Sequence, residues 1–162
     1  SRTALVQRDG DIVAVDGTSP VSFDVSPGTY HVAVRHRNHL GVMTATALSL
    51  GAGVTALDLT AAATPTWGTD ARKSVGSVRA LWTGNVLRDD RLKYAGSAND
   101  RDPVLTAIGG TVPTATLNGQ YRPEDVNLDG VVKYAGGAND RDPILVNIGG
   151  TVPTATRQEQ LP

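Results

Sequence analysis

Residues 125–156 read DVNLDGVVKYAGGANDRDPILVNIGGTVPTAT. The opening eight residues follow the pattern D-x-N-x-D-G-x-V, the first half of an EF-hand-type loop. Calcium takes six to eight oxygen ligands, and alternate residues of a tight loop aim oxygens at one point. Asp125, Asn127 and Asp129 are therefore the candidate side-chain ligands, with the carbonyl of Val131 beside them. Gly130 allows the sharp turn, and Val132 points to a core. A standard loop closes on an acidic residue at position twelve, but Gly136 stands there. With four residues inserted in YAGGAND, Asp140 takes the closing role at the start of a helix. Asp142 is the alternative, and it also reads as an N-cap before Pro143.

The same grammar occurs 40 residues earlier. Residues 85–116 read NVLRDDRLKYAGSANDRDPVLTAIGGTVPTAT, identical to the later copy at 22 of 32 positions. Two copies are too few for a solenoid and predict two units packed about a pseudo-twofold axis. Copy one has a weaker ligand set: Asn85, Asp89, Asp90, the carbonyl of Arg91, Asp100 and Asp102, with Leu87 where Asn127 stands. It reads either as a weaker calcium site or as a loop held by packing alone.

In each copy Asn-Asp, a first-turn Pro and a closing Gly-Gly delimit a short helix. Val104, Leu105 and Ile108 share one face of the first, and Ile144, Leu145 and Ile148 share one face of the second. Repeated loop–helix units of this kind, over residues 82–156, resemble a dockerin, the calcium-binding module of cellulosome enzymes. That resemblance implies a small α domain, bound Ca2+ and a protein partner.

Upstream the reading changes to strands. ALVQRDGDIVAV places two apolar runs around Asp9-Gly10, a hairpin signal. VSFDV (21–25) and TYHVAV (29–34) alternate, and GVMTATALSL and VTALDLT follow. The pattern predicts an antiparallel β-sandwich over residues 1–60. The segment FDVSPGTYHVAVRHRNHL is similar to carboxypeptidase-regulatory-like and Cna-B-like sandwiches, non-catalytic spacers of secreted and surface proteins. Residues 61–84 form a connector, in which VGSVRALW fits either a strand or a helical turn. Residues 157–162 are a tail. The whole arrangement resembles the C-terminal part of large secreted bacterial surface proteins.

Composition narrows the functional classes. The 162 residues contain no cysteine, which excludes disulfides, thiolate metal sites and cysteine nucleophiles. Fifteen basic and sixteen acidic residues leave a net charge of −1, with no basic footprint for nucleic acid. No apolar run is long enough to insert in a membrane. No secretion signal opens the chain, and one is expected upstream if the chain is a mature product. No H-E-x-x-H or G-x-S-x-G occurs. His31, His36 and His39 are the only histidines, and RHRNHL reads as an exposed polar loop rather than a zinc site. Trp67, Trp82 and Tyr121 are candidate glycan-stacking surfaces, whereas the repeat-equivalent Tyr94 and Tyr134 are expected in a core.

The expectation is a secreted or cell-surface, calcium-stabilised module without catalysis, with a protein partner or self-assembly. Two other readings stand beside it. One is a filament subunit whose sandwich is completed by a neighbour's strand. The other is an accessory domain of a secreted hydrolase.

Overall fold

A computed structural model describes residues 1–162. The protein is β-rich, with its strands in small antiparallel sheets and only two short helices. In chain order the elements are β1 (Leu5–Val6), β2 (Ile12–Val13), β3 (Gly28–Tyr30), β4 (Ala33–Val34), β5 (Val42–Met43), β6 (Leu48–Leu50), β7 (Lys73–Val75), β8 (Val78–Ala80), β9 (Arg91–Lys93), α1 (Arg101–Ala107), β10 (Thr116–Asn118), β11 (Val131–Lys133), α2 (Arg141–Asn147) and β12 (Thr156–Gln158). All the strands lie in two-stranded ladders.

The chain divides into two units: Ser1–Tyr30 with Ala47–Leu57, and His31–Thr46 with Asp58–Pro162. In the first unit the hairpin at Asp9-Gly10 forms as expected, pairing Leu5 with Val13 and Val6 with Ile12. Gly10 holds φ at +97°, a conformation that a side chain disfavours. β3 pairs with β6. The expected strand VSFDV is absent: residues 21–27 have no regular structure, and Phe23 and Val25 are exposed. VTALDLT is likewise not a strand. No side chain of this unit is buried. Alternation alone does not make a strand when no opposing sheet covers its apolar face.

Residues 31–46 do not complete a sandwich over 1–60. The run TYHVAV breaks at His31-Val32, where β3 ends and β4 turns to pair with β5 in the second unit. The connector joins that unit too. VGSVRALW resolves as the β7–β8 hairpin, with Gly76 at φ +57° in its turn. Residues 157–162 are not a free tail. Arg157 and Gln158 belong to β12, and Glu159 donates its N–H to the Asp90 carbonyl at 2.7 Å.

The repeats fold as reciprocal partners. β9 of copy one pairs with β12, which follows copy two. β11 of copy two pairs with β10, which follows copy one. The registers correspond at the repeat spacing: Leu92 faces Arg157, and Val132 faces Leu117. Helix α1 packs on β11 and α2 packs on β9. Between them lies the core: Leu40, Val86, Leu92, Val104, Val126, Val132, Ile144 and Ile148, with Tyr94 and Tyr134 packed against it. Each fully buried aliphatic side chain contributes roughly 1.5–3 kcal/mol.

Of the Asn and Asp that the sequence offers at each helix start, it is the Asn side chain that bonds to the first turn. The Asn139 carbonyl oxygen accepts the Asp142 N–H at 2.8 Å, and its amide donates to the Asp142 carboxylate at 2.8 Å. Asn99 and Asp102 repeat the exchange at 2.9 and 2.8 Å. In each copy an Asn side chain, not an Asp, thus takes a first-turn N–H, and the Asp three residues on holds that side chain in place. The Gly-Gly pairs at 109–110 and 149–150 end the helices with positive φ, as the sequence predicts.

Ile144→Ala empties a site with no solvent access and is expected to cost about 2–5 kcal/mol in chemical denaturation. Val146→Ala on the exposed face of the same helix should stay within about 0.5 kcal/mol. Comparable losses in both variants would mean that the helix does not bury the face described.

Candidate functional site: the repeat loops and their clamp

The loop of copy two is built by its own polar side chains. The Asn127 Oδ1 accepts the Asp129 N–H at 2.9 Å, and Asp129 Oδ1 accepts the Val131 N–H at 2.9 Å. Asp125 Oδ2 accepts the Gly130 N–H at 3.2 Å. Leu128 sits at φ +64° and Gly130 at φ +86°, so the loop doubles back twice within three residues. These bonds gather Asp125, Asn127 and Asp129 around one turn.

Asp125 is the exceptional member. It is 2% exposed. Its Oδ1 is buried and has no hydrogen-bond partner. Its Oδ2 lies 3.6 Å from the Arg37 guanidinium. A buried, unpartnered carboxylate oxygen is costly, on the order of 1–3 kcal/mol or more for a charged group.

Asp140 lies beside this loop and is fully buried. Its Oδ1 accepts the N–H groups of Val126 and Asn127 at 2.7 and 3.1 Å, and its Oδ2 accepts that of Lys133 at 2.8 Å. Burial pushes its carboxyl up to about 6, against those backbone donors and with the nearby Asp125 charge adding to the rise. The expected closing residue is thus at the loop, but three of its roughly four acceptor positions are already in use. It can offer one lone pair, not a bidentate grip. Asp142 is elsewhere. Its carboxylate meets Asn139 and Arg141, and the Asn139 hydrogen bond holds its carboxyl below the ordinary value.

Copy one repeats the scaffold without the orphan. Asp100 takes the place of Asp140, accepting the N–H groups of Leu87 and Lys93 at 3.1 and 2.8 Å, and burial raises its carboxyl to about 6. Asn85 takes the place of Asp125. It accepts the Asp89 N–H at 3.2 Å and donates its amide to the Asp89 carbonyl at 2.7 Å. The amide closes the loop on itself, with no charge left over. Asp89 Oδ1 accepts the Arg91 N–H at 2.9 Å, as in copy two. Asp90 faces away from the loop, toward Gln158 Nε2 at 2.6 Å. Asp102 serves the capping box and pairs with Arg101. No group of three or more His, Asp and Glu side chains converges on one point in either copy.

A third element ties the two loops together, and the sequence reading missed it. The polar segment 35–39 is not an exposed loop. Asn38 is fully buried. Its carbonyl accepts the N–H groups of Gly84 and Asn85, at the start of copy one, at 2.8 and 3.0 Å. Its side-chain amide donates to the carbonyls of Pro123 and Asp125, at the start of copy two, at 3.0 and 2.7 Å. One residue therefore holds both loop starts. Arg37 adds its bond to the Arg122 carbonyl at 3.1 Å and stacks 3.8 Å from the Tyr121 ring. Tyr121 is otherwise open, at 82% exposed. Trp82 is covered in the same way by Arg157, at 3.5 Å. Nothing in RHRNHL itself signals this role, because the partners lie 46 to 87 residues away and carry no complementary motif.

His36 and His39 flank Asn38, with ring centroids 4.5 Å apart in an edge-to-face arrangement. Burial lowers both imidazoles from their ordinary value, His39 to about 3. No protein-family model, curated protein or solved structure matches the chain.

Asp125→Asn should abolish most divalent-cation affinity of the loop, by about tenfold or more, yet leave the fold intact. Copy one already shows an Asn closing such a loop. In chelator the variant should equal or exceed the parent in stability, because the orphan charge is gone. Urea denaturation with and without calcium measures both.

The histidines set an acid limit. A group whose folded pKa is depressed contributes stability that is complete above its unfolded value, about 6.5, and is lost as pH falls toward the folded one. Asp100 and Asp140 act oppositely, favouring the fold as pH falls through about 6. In metal-free buffer, His39→Gln should therefore lose less stability than the parent between pH 7 and pH 5. An equal or larger loss, by urea midpoints at the two pH values, would show that His39 is not held neutral by its surroundings.

Proposed function

We propose that this protein is an extracellular, calcium-binding, non-catalytic structural or interaction module, with the dockerin-like loop of copy two as its metal site. The observation that carries the proposal is the orphaned Asp125 Oδ1, buried at the first ligand position of a D-x-N-x-D-G loop. The residues fit the ion on that count, and the donors are hard oxygens of the kind calcium takes. Asp125, Asn127, Asp129 and the Val131 carbonyl would hold it, with Asp140 contributing its one spare lone pair. Bound calcium supplies the positive charge that the buried carboxylates lack. The chain's own part is to hold those carboxylates close together through the Asn127 and Asp129 turns and the Asn38 clamp. Folding and binding are then coupled, since the metal-free loop keeps an unpartnered buried carboxylate oxygen that Arg37, on the other oxygen, does not reach. Copy one, closed by Asn85, is the metal-independent half of the pair. Millimolar external calcium would saturate even a site with a dissociation constant on the order of 10⁻⁴–10⁻³ M.

A second reading, the filament subunit completed by strand addition, is favoured by one observation. The unit formed by Ser1–Tyr30 and Ala47–Leu57 buries no side chain, and Leu5, Val6, Ile12, Val15, Phe23 and Val25 are exposed. Two-stranded ladders of this kind are marginal alone and have free edges for a further strand.

Calcium should raise the melting temperature and a chelator lower it, with magnesium a poor substitute because it requires shorter, octahedral coordination. One equivalent should bind by calorimetry. Asp89→Ala should leave that equivalent in place and Asp129→Ala should remove it. Silence in calorimetry at about millimolar calcium would sink the metal reading. Two equivalents would restore copy one as a site.

A further inference from the structure

We infer that the loop of copy one forms part of an anion-binding pocket, a site for the carboxylate or sulfate group of a sugar-sized ligand. The pocket is a cavity of about 320 Å³ within the C-terminal unit. Arg35, His36, Arg37 and His39 line it from segment 35–39, and Arg88 and Asp89 line it from the loop of copy one. Calcium in copy two is not needed for it.

The two loops have diverged in charge. Residues 125–131 carry Asp125 and Asp129 and no cation, whereas residues 85–91 set Arg88 and Arg91 against Asp89 and Asp90. Arg88 stands where copy two has Leu128, and the two backbones agree, with φ at +59° and +64°. A guanidinium therefore occupies a position that the fold holds in the same way without one. Its Nε donates to the Arg37 carbonyl at 3.2 Å, and its charge pairs with no carboxylate. The remaining N–H groups of this anchored fork match the oxygens of a carboxylate or sulfate.

The two carboxylates on the cavity wall are already engaged. Glu159 Oε2 accepts the Gly41 N–H at 2.6 Å, and Oε1 meets Arg35 at 2.9 Å. The Glu159 side chain is 6% exposed and that of Arg35 65%, so the cation is the more accessible partner. Asp89 Oδ1 accepts the Arg91 N–H of its own loop at 2.9 Å. Arg37 is held toward Asp125 at 3.6 Å, which leaves Arg88 as the arginine without a counter-ion. The histidines add neutral hydrogen-bonding groups. Asn38 donates its amide to the Pro123 and Asp125 carbonyls, so its Oδ1 is an acceptor. A proton on His39 Nδ1 serves that oxygen at 2.8 Å and His36 Nδ1 at 2.7 Å. His36 then carries its own proton on Nε2, and His39 keeps a lone pair on Nε2. One donor and one acceptor of this kind suit hydroxyl groups, and the volume lies at the small end of ligand pockets. Together they point to a single acidic sugar rather than a bare ion.

The test uses the full chain, freed of metal on a chelating resin, with glucuronate, glucose 6-sulfate and glucose titrated separately by nuclear magnetic resonance. At least one charged sugar should bind, at roughly millimolar affinity, and shift the amide signals of the residues lining the cavity. The tighter of the two identifies the anionic group. Arg88→Leu, which installs the residue of copy two, and Arg88→Gln should each weaken that binding by about fivefold or more. Arg8→Gln, at an exposed arginine outside the cavity, should leave it unchanged. No shift up to about 20 mM of either charged sugar overturns the proposal. So does glucose binding as well as the charged sugars, or a loss in Arg8→Gln equal to that in Arg88→Leu, which would reduce the effect to overall charge.

Discussion

The buried carboxylates of Asp100 and Asp140 hold the C-terminal unit together. Each sits at the start of a helix, yet neither caps it. Instead each collects main-chain N–H groups from the start of its own loop and from its own β strand. A loop that reverses the chain leaves such donors pointing inward, where water cannot reach them. One carboxylate satisfies them together, and so fixes loop, strand and helix start relative to one another. The cost is a buried negative charge, visible in the raised carboxyl values. That cost explains why the two copies diverge where they do. In copy two a second buried carboxylate, Asp125, stands beside Asp140; it pairs with Arg37, and one of its oxygens keeps no hydrogen-bond partner. Replacing it with Asn85 makes copy one self-sufficient.

Positive charge reaches copy two partly from within. Arg37 approaches Asp125 from segment 35–39, whose neighbour Asn38 bonds to the starts of both loops. The segment is thus a shared wall of the two loops. It joins the loop of copy two to that of copy one through a single buried residue, Asn38, by its side-chain amide on one side and its main-chain carbonyl on the other. Asn38 is thus in hydrogen-bond contact with Asp125 on one side and with Gly84 and Asn85 on the other.

Much of the C-terminal half was legible because its information is local and given twice. The repeat spacing, the loop grammar, the Gly-Gly stops and the faces of Val104 and Ile144 all appear in the folded chain. The details that failed were decided by competition between neighbouring polar groups. Asp140 lies at the loop as its spacing suggested, whereas Asp142, read as a second closing residue or a cap, does neither, because Asn139 takes the first-turn N–H and holds the Asp142 carboxylate. The N-terminal half was misjudged for another reason. Alternation at Val21, Phe23 and Val25 states which side chains want a covering layer, not whether one exists. The role of RHRNHL was invisible because its bonds reach up to 87 residues along the chain.

The crossed pairing of the ladders has a consequence for how such a tandem arises. Each copy lends its trailing strand to the other, so β9 is closed by β12 and β11 by β10. A solitary copy would therefore possess one half of each ladder and no closure. It could complete itself only on a twin molecule, with two chains exchanging their trailing strands about a true twofold axis. The present arrangement has the strand exchange of that symmetric dimer written into one polypeptide. Once fused, the halves were no longer bound to be identical. One carries Asp125 at the first loop position and the other Asn85, an asymmetry that a homodimer could not have encoded.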